Sequence, residues 1–150
     1  MLDEKDRDLL SLLQRDATAS YAALGAAVGL SAGAVHERVR KLRERGTIRR
    51  TTIDVDPVAA GRPVLAFVLV RAAAWIGDAA VGEALAAIPA IQEAHVIAGD
   101  ASLLVKVRTA STGDLQAVLR KLYELDGVTG TEAIVVLDTF FDRPVEPGDG

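Results

Sequence analysis

The sequence predicts an α+β chain in two halves: three short helices, then a βαββαβ unit. Three observations predict it. Up to Leu42, apolar residues recur at three- and four-residue spacing. After Pro63, apolar runs of strand length alternate with helical stretches. Between the two, "DPVAAGRP" carries the breakers Pro57, Gly61 and Pro63 and reads as a linker. With 150 residues, half of them apolar, the chain can build one ordinary domain or two small ones.

The first helix is expected over Asp3 to Gln14. Leu2, Leu9, Leu10 and Leu13 share one face, and Asp3, Glu4 and Asp6 suit the positive end of its dipole. Ser20 is the expected N-cap of a second helix, Tyr21 to Val28, with Leu24 and Val28 inward. Gly29 ends it, and Ser31 caps a third helix with a Val35–Val39–Leu42 spine, closed by Gly46. Two short helices joined this tightly make a helix-turn-helix, whose second member can enter a DNA major groove. "TIRRTTIDVDP" then alternates weakly, as a small hairpin or wing followed by a connecting strand would.

In the second half, "VLAFVLVR" reads as a strand and "DAAVGEALAAI" as a helix stopped by Pro89. "IQEAHVIAG" and "SLLVKVRT" read as strands with a hairpin-type turn at Gly99–Asp100. "STGDLQAVLRKLYEL" is helical, with Leu115, Val118, Leu119, Leu122 and Leu125 inward, and "TEAIVVLDTF" is the last strand. This order is the ferredoxin-like split pattern, an antiparallel sheet with two helices on one face. The expected domains are therefore a winged helix-turn-helix at 1–52, a linker and connecting strand at 53–63, and the βαββαβ domain at 64–150. A sheet covered on one side should alternate apolar and polar residues, yet every residue from Val64 to Val70 is apolar, and Ile134 to Leu137 is similar. The open face is thus expected to be covered by a second copy of the chain.

Charge is unevenly placed. The net charge is −4, but residues 1–56 carry +1 and residues 57–150 carry −5. His36 to Thr52 alone holds +5. A one-signed excess on the second helix of a tight pair, continuing into Arg49 and Arg50, is the footprint of a phosphate-binding surface. Arg38, Arg40, Lys41, Arg43, Arg49 and Arg50 are the candidate cations. Ser31 and Gly33 allow close approach of the helix start to the backbone. His36 and Glu37 are candidates to read base edges, Glu37 by accepting from cytosine. Arg38, beside the apolar spine, is also placed to pair with an acid of the first helix.

Other chemistries are disfavoured. There is no Cys, which removes disulfides and thiolate ligands, and the two histidines, His36 and His95, lie in different halves. No phosphate-loop or framed catalytic motif occurs, so no metal, cofactor or enzymatic activity is expected. The N-terminus lacks a signal-peptide core and no apolar run reaches membrane-span length. A cytoplasmic protein is expected.

Leu2, Asp3, Asp6, Leu10, Leu13 and Asp16, then Leu24, Val28, Gly29, Leu30 and Ser31, then Val35, Arg38, Val39, Leu42, Gly46 and Ile48 form one pattern. With Gly61, "HVIAGDASLLVKV" and Leu125 to Val128, the pattern covers nearly the whole chain. It resembles the Lrp/AsnC family of bacterial and archaeal transcription regulators, also called feast/famine regulators. The resemblance implies binding to pseudo-palindromic double-stranded DNA at promoters. It implies a homodimer formed through the C-terminal domain and assembling further, to tetramers or octamers. It also implies a free amino acid effector at the loop Gly99, Asp100, Ala101 and Ser102. The family usually has an acid where Ser102 stands and often an aromatic at Ala101, so a weakened or altered amino-acid response is expected. Thr18 stands where Arg is common, and Gly25 where Ala is common. A different reading keeps the second half as a small-molecule sensor and makes the N-terminal helices a protein-docking module. The basic run Arg38 to Arg50 discriminates between the two, since docking does not need it.

Overall fold

The computed structural model describes residues 1–148, and their contacts divide them into two compact units. The first comprises residues 1–54 together with the segment that begins at Phe141, and the second comprises Val55–Phe140. The sequence places the second domain at 64–150. The grouping differs in that the chain after Phe140 packs within the first unit, where Gln14 Nε2 donates to the carbonyl of Val145 at 2.7 Å. Residues 149–150 of the expected domain lie outside the described residues.

The first unit holds α1 (Glu4–Arg15), α2 (Tyr21–Val28) and α3 (Ala32–Glu44). Each begins at a side-chain cap: Asp3 accepts from the Asp6 amide, Ser20 from Ala23 and Ser31 from Ala34. Leu9, Leu24, Val28, Val35 and Val39 form one buried cluster, flanked by Leu12, Leu13, Leu30 and Ile48. Lys5 Nζ donates to the Val28 carbonyl at 2.6 Å, placing a cation at the negative end of α2. The turn between α2 and α3 depends on two glycines. Gly29 takes φ 72°, a left-handed conformation that side chains disfavour. At Gly25 a Cβ would lie 2.3 Å from the Leu30 carbonyl oxygen, so the α2–α3 turn packs directly on the bare backbone. The helix propensity lost at Gly25 is the cost of that close approach.

The expected wing is not built as a hairpin. Among the described residues no strand occurs between α3 and Val64. The amide of Ile48 closes the end of α3 on the Leu42 carbonyl at 3.1 Å, and the chain then runs without ladder partners through Thr51–Asp54. An extended segment needs a neighbouring strand to become a ladder, and no other segment of this unit is a strand.

The second unit holds β1 (Val64–Ala72), α4 (Ala79–Ala86), β2 (Ile91–Val96), β3 (Leu103–Thr109), α5 (Thr112–Tyr123) and β4 (Val128–Val135). The antiparallel sheet has the order β2-β3-β1-β4. Asp78 and Ser111 cap α4 and α5. Ala66, Val68 and Val70 of β1 and Leu103, Val105 and Val107 of β3 bury against Leu85, Ile88, Leu115, Val118 and Leu122 of the helices.

Two sequence expectations shift here. The Gly99–Asp100 turn is longer than a two-residue hairpin: the Ile97 amide closes it on the Ser102 carbonyl at 3.1 Å. The last strand begins at Val128 rather than Thr131 and ends at Val135, because its register on β1 runs from Ala72 to Ala66. Past the Val136 amide, bonded to Leu65 O at 2.9 Å, only Val64 of β1 remains, and Leu137 and Phe140 are exposed.

The face of the sheet away from the helices carries Phe67 and Leu69 of β1, cross-strand from Ile134 and Glu132 of β4 and from Lys106 and Leu104 of β3. Its charges pair across strands. Arg71 bonds Glu132 at 2.9 Å, and Lys106 bonds Glu93 at 3.1 Å. Lys106, and then His95, hold the Glu93 carboxyl below its usual range. What remains is an apolar strip of Phe67, Leu69 and Ile134 on the face opposite the one on which this unit's own helices pack.

Candidate nucleic-acid interface

The buried spine of α3 is Val35, Val39 and Leu42. On a helix turning about 100° per residue, the line opposite that spine runs through Gly33, Glu37, Arg40 and Glu44. His36 and Arg43 lie on one flank of this line, and Lys41 and Arg45 lie on the other. Of the helix residues singled out from sequence, Gly33, His36, Arg40, Lys41 and Arg43 are exposed; Glu37 and Arg38 are half-buried. Ser31 is committed as the cap of α3.

The cations fall into three groups. Arg38 is a strut: its Nη1 donates to Asp3 Oδ2 at 2.6 Å and to Asp6 Oδ1 at 2.8 Å. Asp6 is only 7 % exposed, so this pair ties the start of α1 to the middle of α3 at the edge of the core. Arg38, and then the Asp6 amide, hold the Asp3 carboxyl below its usual range, while Asp3 and then Asp6 raise Arg38.

Arg40 is clamped. Its Nε donates to Glu37 Oε2 at 2.9 Å and its Nη2 to Glu37 Oε1 at 2.6 Å, a two-pronged pair. Its Nη1 bonds Glu44 Oε1 on the other side. Lys41 Nζ lies 3.6 Å from Glu37. Arg40 is the main reason the Glu37 carboxyl falls to about 2, and Glu37 in turn raises Arg40.

Arg43, Arg45, Arg49 and Arg50 form the third group. Among the described residues none of them has an ion-pair partner, and all four are exposed. Arg43, Arg49 and Arg50 line one cleft of about 340 Å³ with Leu10, Leu13 and Ile48. The uncompensated positive charge therefore sits at the C-terminal end of α3 and just beyond it. The outermost line of the helix is spanned by an ion-pair chain. Arg45 lies within the basic run read from sequence, and Glu44 is the residue that the fold adds to the site. The spacing of Glu37, Arg40 and Glu44 at three and four residues is the signal that announces the clamp. His36 meets the ring of Tyr21 edge-on at 5.6 Å, which fixes its position beside α2.

The second candidate site is the loop Gly99, Asp100, Ala101 and Ser102. Gly99 and Asp100 are exposed, Ala101 is buried and Ser102 is half-buried. The Ser102 amide donates to the Val70 carbonyl at 2.8 Å, anchoring the loop to β1. Among the described residues there is no cluster of His, Cys, Asp or Glu able to hold a metal ion, and no helix long and apolar enough to cross a membrane.

Comparison with known proteins matches both units. Residues 2–43 fit the AsnC-type helix-turn-helix domain, and residues 65–146 fit the Lrp/AsnC ligand binding domain. The HTH-type transcriptional regulator FL11 of Pyrococcus horikoshii is 38% identical over 138 residues, covering 92% of this chain and 91% of that protein. The solved structure of Escherichia coli AsnC superposes with a TM-score of 0.85 at 31% identity, covering 98% of this chain and 99% of AsnC. The NMB0573/L-Met complex from Neisseria meningitidis shares the fold, with a TM-score of 0.85 at 20% identity over 95% of this chain and 94% of that one. The chain belongs to the Lrp/AsnC family of helix-turn-helix transcription regulators, and it is a sequence-specific DNA-binding regulator rather than an enzyme.

Proposed function

We propose that the protein works as a homodimer, paired through the open faces of two sheets, that lays two α3 helices on a pseudo-palindromic promoter site. Arg43, Arg45, Arg49 and Arg50 hold phosphates, joined by Lys41. Ser31 and Gly33 keep the helix start close to the backbone, and His36 and Glu37 face base edges. Two-fold pairing sets the helices about one helical turn of DNA, or a multiple, apart. DNA binding of this kind puts the protein in the cytoplasm of its cell. The observation that carries the reading is the group of unpaired guanidinium groups at the end of α3, on a unit whose relatives are DNA-binding regulators. The apolar strip of half-buried Phe67 and Leu69 with exposed Ile134, opposite the helices of its unit, supports the pairing.

The loop Gly99 to Ser102 is the proposed effector site, with a free amino acid as effector and amino-acid or related metabolism as the target. The Neisseria neighbour, solved with L-Met, supports that class of ligand. Ser102 offers a hydroxyl where family members usually carry a carboxylate, so the ligand amine is held less tightly. Chromatin mapping of the protein on its genome, with and without each of the twenty amino acids, tests both parts. Enrichment at discrete promoters is expected, shifted by one or a few amino acids. Uniform, sequence-blind occupancy would sink the reading.

A further inference from the structure

The outermost line of α3 is an unsuitable phosphate binder. Glu37, Arg40 and Glu44 together carry a net −1, and they occupy the position that a helix in a major groove presents to base edges. The free cations lie on its flanks and beyond its end, where the two DNA backbones would run.

We infer that Glu37 and Arg40 act as one unit that reads a C·G base pair. This rests on the proposed placement of α3 in the major groove. The two bonds from Arg40, at 2.9 and 2.6 Å, fix the Glu37 carboxylate in one orientation and balance its charge. Glu37 Oε1 meets Arg40 Nη2 and faces Lys41 Nζ at 3.6 Å, whereas Oε2 uses one lone-pair direction on Arg40 Nε and keeps another. That leaves an acceptor for the N4 amino group of cytosine. Arg40 uses three of its five N–H groups on Glu37 and Glu44 and keeps two. These can donate to the O6 and N7 acceptors of the guanine in the same pair. Acceptor beside donor on the protein matches donor beside acceptor on the base pair. A lone Glu37 would be repelled by the backbone, and a lone Arg40 would bind any phosphate. Paired, neither does so, and the contact left to them is with bases.

The experiment is selection from a pool of randomised duplexes by the wild-type chain, by Glu37→Ala and by Arg40→Ala. The wild type is expected to select a C·G pair at one position of each half-site. Replacing that pair by A·T should weaken its binding roughly five- to one-hundred-fold. Both variants should lose the preference at that position and keep it elsewhere, which also shows that they are folded. Retained preference in Glu37→Ala, with uniformly tighter binding, would overturn the inference and leave Glu37 as a repulsive charge alone. Selection of an A·T pair that Glu37→Ala abolishes would overturn the assignment to C·G. A wild type that selects nothing would overturn the proposed function itself, and the inference with it.

Discussion

The charge pattern makes salt dependence the sharpest test of the interface. Four unpaired arginines per chain, used twice in the proposed dimer, supply about eight fully charged phosphate contacts, Lys41 being partly balanced by Glu37. The slope of log K against log salt concentration is then about −7, and affinity falls by roughly 10⁴ between 50 and 200 mM salt. The double variant Arg43→Ala, Arg49→Ala removes four of those contacts. Its slope should shrink to about −3.6 and its loss over the same range to roughly 10². Arg40→Ala should behave differently. Its guanidinium is already neutralised by Glu37 and Glu44, so the slope should change by less than it does for either flanking arginine. Fluorescence anisotropy of a labelled duplex, titrated at a series of salt concentrations, measures all three. A flattening by Arg40→Ala as large as that of the Arg43, Arg49 double variant would refute the argument. It would mean that the clamp opens on DNA and that Arg40 serves as an ordinary phosphate contact.

Three further outcomes are expected. Gly25→Ala should lower stability by about 1–2 kcal/mol despite the better helix propensity of alanine, because the added Cβ meets the Leu30 carbonyl; thermal unfolding reads it. Phe67→Asp should convert the proposed dimer to monomers in light scattering and abolish binding to a two-fold site, while the helix-turn-helix unit stays folded. Glu37 has a depressed pKa of about 2, so its paired, ionised form persists above that pH and is lost only as pH falls through it. Base preference at its position should therefore be the same at about pH 8 and pH 5, as selection at the two values would show.

What could be read from sequence was what local chemistry decides. Ser20 and Ser31 announce helix starts because a side-chain oxygen satisfies a nearby amide, and both do so; Asp3, Asp78 and Ser111 cap their helices in the same way. The Val35–Val39–Leu42 spine follows from helical spacing alone. Strand limits were harder. The start of β4 at Val128 is set by the position of Ala72, more than fifty residues earlier, which no local pattern records. The wing misled for the same reason: Thr and Ile favour extension, but extension becomes a ladder only beside another strand. At the candidate site the sequence showed how much positive charge there was, yet not where it was already spent. Arg38 and Asp6 are 32 residues apart, and only the fold brings them together.

That distribution answers why a chain of net −4 keeps a basic helix. Positive charge spread evenly over α3 would bind any DNA, since phosphate contacts carry no sequence information. Here one arginine is drawn into holding α1 against α3 and another is balanced by two glutamates. Every duplex then meets an outermost line of net −1, and only a correct base pair, contacted with the clamp closed, offsets that repulsion. Glu44→Gln removes a negative charge from the outermost line and weakens its hold on Arg40. Affinity for all duplexes should rise, and the ratio between selected and random duplexes should fall. Competition binding against both kinds of duplex measures the two quantities at once. If affinity rises with the ratio unchanged, Glu44 is a solvated charge that merely repels the backbone, and the clamp plays no part in choosing the site.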